Sequence, residues 1–192
     1  MVEQEYKYLL SQTDFQHIYD MLSQSHTPNY RLHVNYYYDT PDFLLKQYGY
    51  TVRVRQISGK LTLEIKSPGQ TSGYKRVREE MSYPIEELPQ KLDVQNILTS
   101  LPMTINQQSE LLGLLVTERT TFYIGTGIKV DLDQSSYLGL TDYELEIEYD
   151  SAKANEADQL FHTLTDHLDM PVNRKGKRSR FITRFQSFYG KE

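Results

Sequence analysis

YELEIEY, Tyr143–Tyr149, sets three glutamates against three apolar partners: Glu144, Glu146 and Glu148 alternate with Leu145, Ile147 and Tyr149. Side chains two apart on a β-strand share a face, so the stretch predicts a strand with one carboxylate face and one apolar face. The same parity recurs outward along the chain. In IKVDLD, Lys129, Asp131 and Asp133 oppose Ile128, Val130 and Leu132. In TVRVRQ, Arg53 and Arg55 oppose Val52 and Val54; in LTLEIK, Thr62, Glu64 and Lys66 oppose Leu61, Leu63 and Ile65. EQEYK puts Glu3, Glu5 and Lys7 on one face, against a less cleanly apolar one. Arg76, Arg78 and Glu80 share a further parity, and Arg119 lies in the strand-like VTERTTFYI.

Helical patterns punctuate the strands. Thr13 to Gln16 reads as a capping box, followed by Phe15, Ile18, Tyr19 and Leu22 at helical spacing. A second helix is predicted from Lys153 to Leu168, with Ala157, Leu160, Phe161, Leu164 and Leu168 on one stripe. A third bears Phe181, Phe185 and Phe188, read as a packing face. Weaker helical patterns lie at Leu92–Leu101 and Ser109–Leu115. Loops are expected at SPGQTSG after Lys66, at YPIEELP after Ser82, and at Gly125–Gly127. Strands are spread through the whole chain with no repeat or linker between them, so residues 1–192 are expected to form one domain.

Composition narrows the function. The net charge is −5, which argues against a general nucleic-acid binder but not against a small polyanion, because local arrangement decides that. Cysteine is absent, so no disulfide or thiolate metal site can form. MVEQEYKYLL is charged where a signal peptide needs an apolar run, and no apolar stretch approaches the ~20 residues of a membrane span. A soluble, cytoplasmic protein is expected, with no membrane and no nucleic-acid partner.

Two arrangements satisfy the alternation. Charged faces can meet solvent around a sandwich core, which is common for antiparallel sheets. Alternatively, the sheet curls into a barrel with its charged face inward and its apolar face covered by helices. The second is favoured because the charged faces are rich in arginine and carboxylate, and because the amphipathic helices need an apolar wall to cover. Buried charges must then be wet, paired or ligand-filled. Mixed signs in one lumen suggest cations for a polyanionic substrate and carboxylates for a divalent metal that bridges to it.

Glu3, Glu5 and Lys7 spell ExExK, and the chain resembles the CYTH superfamily of triphosphate-processing enzymes. NYYYDTPDFLL (Asn35–Leu45), the RVR pair, the lysine ending LTLEIK, Arg78 with Glu80, Arg119, KVDLD and the ELE of YELEIEY follow in the family's order. NRKGKRSRF resembles the basic closing helix of a bacterial subgroup. The resemblance implies an α+β fold, an eight-stranded antiparallel β-barrel or tunnel open at both ends with helices packed outside. It also implies hydrolysis or cyclisation of a triphosphate with Mg²⁺ or Mn²⁺.

On that resemblance, Glu3, Glu5, Glu144 and Glu146 match the family's metal-binding carboxylates, with Asp131 or Asp133 completing the site and Glu148 beyond it. Lys7, Arg53, Arg55, Lys66, Arg78, Arg119 and Lys129 are the expected phosphate ligands, with Lys177 and Arg180 from the closing helix. Lys7 and Glu5 are the expected catalytic residues, and Glu64 and Glu80 orient neighbouring cations. The five histidines, His17, His26, His33, His162 and His167, lack metal-ligand spacing and read as structural or exposed. Tyr36, Tyr37 and Tyr38 read as strand packing, with one member able to face the tunnel. Thiamine-selective relatives use a tryptophan platform; this chain has no tryptophan, which favours inorganic tripolyphosphate over thiamine triphosphate. Nucleoside triphosphate hydrolysis or ATP cyclisation, RNA 5′-triphosphatase activity, and a non-catalytic polyphosphate-binding module remain alternatives. A monomer or a homodimer fits equally.

Overall fold

The computed structural model describes residues 2–72, 75–93, 107–168 and 175–189. Among these, the strands are β1 (Val2–Leu10), β2 (Asn29–Asp39), β3 (Thr51–Ile57), β4 (Lys60–Lys66), β5 (Gln70–Ser72), β6 (Lys75–Ile85), β7 (Lys91–Leu92), β8 (Ser109–Tyr123), β9 (Ile128–Tyr137) and β10 (Leu140–Tyr149). The helices are α1 (Gln12–Ser23), α2 (Leu44–Gln47), α3 (Ala154–Thr165) and α4 (Lys177–Tyr189), with a 3-10 turn at Ser151–Lys153.

Strand neighbours run β1, β10, β9, β8, β2, β3, β4, β6, all antiparallel. Residues 75–79 of β6 then pair with residues 2–6 of β1, so these eight strands close into a ring. β5 extends β6 and β7 extends β8 at the margins.

Closure assigns the two faces. Val130, Leu132, Leu145, Ile147 and Phe122 point outward into one apolar cluster with Ile18 and Leu22 of α1 and Ala157, Phe161 and Leu164 of α3. Each such side chain contributes roughly 1.5–3 kcal/mol when fully buried, and this outer layer is the hydrophobic core. A second cluster joins Val52, Val54, Leu63 and Ile65 to Tyr38 and to Leu45 of α2. The buried Asp39 carboxylate accepts from the backbone N–H groups of Thr40, Leu45 and Lys46 at 2.9–3.0 Å. It thereby pins α2 to the end of β2, the structural task of the aspartate in NYYYDT.

Several local expectations are corrected. The N-cap of α1 is Ser11, whose hydroxyl accepts from the Asp14 N–H at 3.1 Å; it offers the same chemistry as Thr13 two residues earlier. Ser109–Leu115 is strand, not helix. Its pairing with β2, for example Asn35 with Leu115, outweighs a weak local helical pattern. Tyr83–Ile85 belong to β6, and Gln70–Ser72 form β5 inside the expected loop. Of the Leu92–Leu101 pattern, Leu92 lies in β7 and residues 94–101 fall outside the described residues.

α4 departs furthest from an open tunnel. Its Phe181 and Ile182 pack on Tyr37, Leu115 and Tyr137, residues of inward parity at one end of β2, β8 and β9. The helix therefore stands across that mouth, because its apolar stripe finds partners inside the rim rather than on the outer wall. Phe185 meets Phe43 at 6.4 Å between ring centroids, whereas Phe188 is 53% exposed beneath the Arg184 guanidinium, so only the first two phenylalanines act as a packing face.

Gly113 makes this closure possible. Its φ is +152°, and a Cβ there would lie 3.2 Å from Cζ of Phe181, beside the register shift that faces Tyr37 and Tyr38. Gly113→Ala is expected to destabilise the fold by about 1–3 kcal/mol, read as a shift of the urea midpoint at unchanged m-value.

Candidate active site

The inward face of the barrel surrounds a cavity of about 1080 Å³. Its charge is divided by strand. β1, β10 and β9 are contiguous, and they place Glu5, Glu144, Glu146, Glu148, Asp131 and Asp133 on the inward parity. β3 and β4, across the ring, place Arg53, Arg55 and Lys66 there with Glu64. Register explains the grouping: Lys7 faces Glu146, Glu146 faces Asp131, and Glu144 faces Asp133.

Apart from the half-buried Glu148, the acidic wall is buried and held by cations. Arg119 from β8 is its hub: the guanidinium donates to Asp133 at 2.7 and 2.6 Å, to Asp131 at 2.5 Å and to Glu146 at 2.7 Å. The Lys7 ammonium sits 2.5 Å from Glu146, 3.3 Å from Glu5 and 3.6 Å from Glu144. Lys129 pairs with Glu148 at 2.6 Å and Asp131 at 3.2 Å. From α4, Lys177 reaches Asp133 at 2.7 Å, Glu146 at 2.6 Å, and Glu144. Arg180 bridges Asp142 and Glu144 at 2.7 Å each. The closing helix therefore inserts cations into the site from the mouth.

These contacts set the ionisation. Burial pushes the Asp133 carboxyl up, but Arg119 and Lys177 outweigh it and hold the group at about 2. Burial acts the same way on Glu146, and Lys177, Lys7 and Arg119 hold it well below the usual carboxylate range. Glu148 is pushed up, because burial exceeds the pull of Lys129. Burial lowers the Lys7 ammonium, and Glu146, Glu5 and Glu144 more than restore it.

Two carboxylate trios meet a metal's requirements. Oxygens of Asp133, Glu144 and Glu146 lie within 4.8 Å of one another, as do those of Glu5, Glu146 and Glu148. Such hard oxygen donors suit Mg²⁺ or Mn²⁺. Glu146 is common to both trios. Asp133 stands in one of them while Asp131 is engaged by Arg119, Lys129 and the Thr121 hydroxyl. Glu148, expected beyond the cluster, lies inside it because Glu5 pairs opposite it across β1 and β10.

On the basic wall, Arg53 grips Glu64 at 2.8 and 2.6 Å. Arg55 reaches Glu64 at 3.3 Å and donates to Asn35 Oδ1 at 3.1 Å. Burial and the adjacent Arg53 push the Arg55 guanidinium down to about 10. Lys66 pairs with Glu80 at 2.7 Å. Glu64 and Glu80 thus orient cations, as the sequence suggested. Glu3 pairs in register with Arg78, but the side chains of both lie outside the described residues.

Arg31, His33 and Asn35 also line the cavity, although the sequence reading did not place them there. Tyr37 is the tyrosine of its triplet that faces inward, its ring tilted against that of Phe181 with 5.2 Å between centroids. The alternation in RLHVNYY, with Arg31, His33, Asn35 and Tyr37 on one parity, was the signal that would have found them.

The family model described as CYTH domain matches residues 1–181. A Bacillus subtilis (strain 168) protein named "Putative triphosphatase YjbK" is 29% identical over 188 residues, 94% of each chain. Among solved structures, HpAC1 from Hippeastrum, described as a "putative adenylyl cyclase" with a dominant triphosphatase activity, superposes with a TM-score of 0.74 at 21% identity, over 94% of this chain and 95% of that one. A Bacillus halodurans "putative adenylate cyclase" superposes with a TM-score of 0.70 at 26% identity, over 92% and 95%.

Proposed function

This chain belongs to the CYTH domain family, and from that premise we propose that it is a divalent-metal-dependent triphosphatase whose preferred substrate is inorganic tripolyphosphate. One observation carries the reading: a wall with two carboxylate trios faces a guanidinium wall across a single cavity. A merely structural charged lumen would need paired ions but no clustering of like-charged oxygens. The relative named as a triphosphatase supports the reaction class.

Asp133, Glu144 and Glu146, or Glu5, Glu146 and Glu148, would hold the divalent cation. When bound, it supplies Lewis-acid neutralisation of phosphate oxygens. Arg53, Arg55 and Lys66 would take the remaining oxygens, the guanidinium forks matching oxygen pairs. In hydrolysis, water adds to a terminal phosphorus, the bond to the bridging oxygen breaks, and that oxygen leaves with its electron pair. Lys7, Arg119 and Lys177 are held charged beside the cavity, so they can stabilise the charge that builds on the transferred group without first gaining a proton. Asp131 orients Arg119, and Arg180 fixes α4 over the mouth.

The absence of tryptophan removes the largest stacking platform for an organic ring, and charged side chains outnumber the tyrosines, Tyr37, Tyr123 and Tyr149, in the cavity lining. No described helix is long and apolar enough to cross a membrane, and the proposed setting is the cytoplasm.

The test is phosphate release from tripolyphosphate, thiamine triphosphate and ATP, each with Mg²⁺, Mn²⁺ or a chelator. Turnover is expected with either metal, fastest on tripolyphosphate, and none with chelator. Glu5→Gln is expected to abolish turnover while leaving the melting temperature nearly unchanged. Equal rates on all three substrates would defeat the specificity, and cyclic AMP from ATP would move the assignment to cyclisation.

A further inference from the structure

His33 is a buried polar group that the reaction scheme above does not use. It projects from β2 into the cavity, is 5% exposed, and its Nε2 has no hydrogen-bond partner among the described residues. Two of its neighbours are engaged elsewhere. Thr117, opposite it on β8, shares a hydrogen bond with Ser135 at 3.0 Å. Asn35, next on the same face, is taken by Arg55 through Oδ1 and by the Leu115 carbonyl through Nδ2 at 3.4 Å. Buried polar atoms are almost always paired, so an orphan on a cavity wall is completed by what fills the cavity, water or a ligand.

The chemistry of the surroundings selects the ligand. The charged groups acting most strongly on the imidazole are Arg55, Arg119 and Arg53, with Asp133 opposing them. Burial first, then the Arg55 and Arg119 guanidiniums, push it down to about 3, so it is neutral at working pH and retains an N–H. A cation or a further donor would be repelled by three guanidiniums; an anionic oxygen is attracted to them and can accept. β2 also lies between β8 and β3 in the ring, which puts His33 between Arg119 of the acidic wall and Arg55 of the basic one.

We propose that His33 is a substrate-contacting residue whose Nε2–H donates to a non-bridging oxygen of a triphosphate lying between the two walls. The inference rests on the reading of the cavity as a triphosphate site. Such a donor adds one directional bond among point charges and guanidinium forks, and so fixes how far along the cavity the chain of phosphates sits.

The experiment uses the full chain, with calorimetric titration of inorganic tripolyphosphate in chelator, and steady-state kinetics with Mg²⁺ in parallel. His33→Leu is expected to weaken binding roughly tenfold and to raise KM with kcat changed less than about threefold. His33→Gln, which keeps an amide donor, is expected to stay within about threefold of wild type. Because His33→Leu removes an orphaned polar atom, its melting temperature should equal or exceed that of the wild type, which a structural histidine would not allow. In wild type, the imidazole Nε2 resonance, assigned by its loss in His33→Gln, should move on adding tripolyphosphate. That spectrum decides the matter even where His33→Leu does not fold. Wild-type binding with unchanged affinity in a folded His33→Leu, or an unmoved Nε2 resonance, overturns the proposal for His33. Failure of the wild type to bind tripolyphosphate in chelator or turn it over with Mg²⁺ overturns the cavity assignment instead.

Discussion

Replacing Glu146 by glutamine is expected to lower phosphate release from tripolyphosphate by at least about 10³-fold, above the ~10²–10³-fold typical for losing one preorganised electrostatic contact. Glu146 is the carboxylate shared by both trios, so the substitution removes one oxygen anion from each at once. It also receives Lys7, Arg119 and Lys177, three of the groups proposed to meet the transferred phosphoryl. The fold should survive. Lys177 keeps Asp133 and Glu144, Arg119 keeps Asp131 and Asp133, and Lys7 keeps Glu5 and Glu144. Glutamine has nearly the same volume and still accepts a hydrogen bond. Phosphate release with Mn²⁺ checks the rate, and a melting curve checks the fold. A variant within tenfold of wild type would remove Glu146 from the centre of the site.

Arg119→Met is expected to act mainly on stability. It leaves Asp131, Asp133 and Glu146, all buried, short of the guanidinium that joined them. Breaking a buried pair by removing one partner costs about 3–5 kcal/mol, a large part of the roughly 5–15 kcal/mol that holds a domain folded. The pH dependence gives the sign. In wild type Asp133 is held at about 2, below its unfolded value of about 3.9. Its pairing therefore stabilises the fold above pH ~3.9 and is lost as pH falls toward about 2. Without Arg119, burial is expected to outweigh the remaining cations and push the carboxyls of Asp133 and Glu146 up. The variant is then penalised most at neutral pH and regains stability as pH falls and they protonate. Denaturant midpoints for both proteins between pH 7.5 and 4.5 check this. The gap should narrow on acidification, and a gap that stays constant would mean that Arg119 supports packing rather than charge.

The barrel was legible because two-residue alternation is unambiguous when one parity is charged and the other aliphatic, as in residues 128–133 and 143–149. Orientation was harder, since alternation does not say which face is inside. The arginine and carboxylate content of one face, together with helices needing a surface, settled it in the direction that the register now shows. What escaped the sequence was local or long-range. Ser11 and Thr13 are equivalent as caps until the backbone picks one. The weak helical pattern at Ser109–Leu115 gave way to pairing with a strand some seventy residues earlier, which no local window sees. Glu148 seemed remote because parity fixes the face but not the height within the barrel. The resemblance gave a closing helix with Lys177 and Arg180, but not the rim residues on which α4 packs, since that depends on Gly113 leaving room for Phe181. His33 was passed over because its residue type was judged without applying the parity used on every other strand.

In our proposal, acidic and guanidinium groups from many separate strands converge on one cavity that takes a metal and a triphosphate together. It is tested most directly by anomalous scattering from crystals of the Glu5→Gln protein grown with Mn²⁺ and tripolyphosphate. A manganese peak bound by Glu144 or Glu146 is expected inside the barrel, with phosphate density reaching toward Arg53 and Arg55. Manganese found only on the outer surface, with phosphate density absent from the interior, would contradict it.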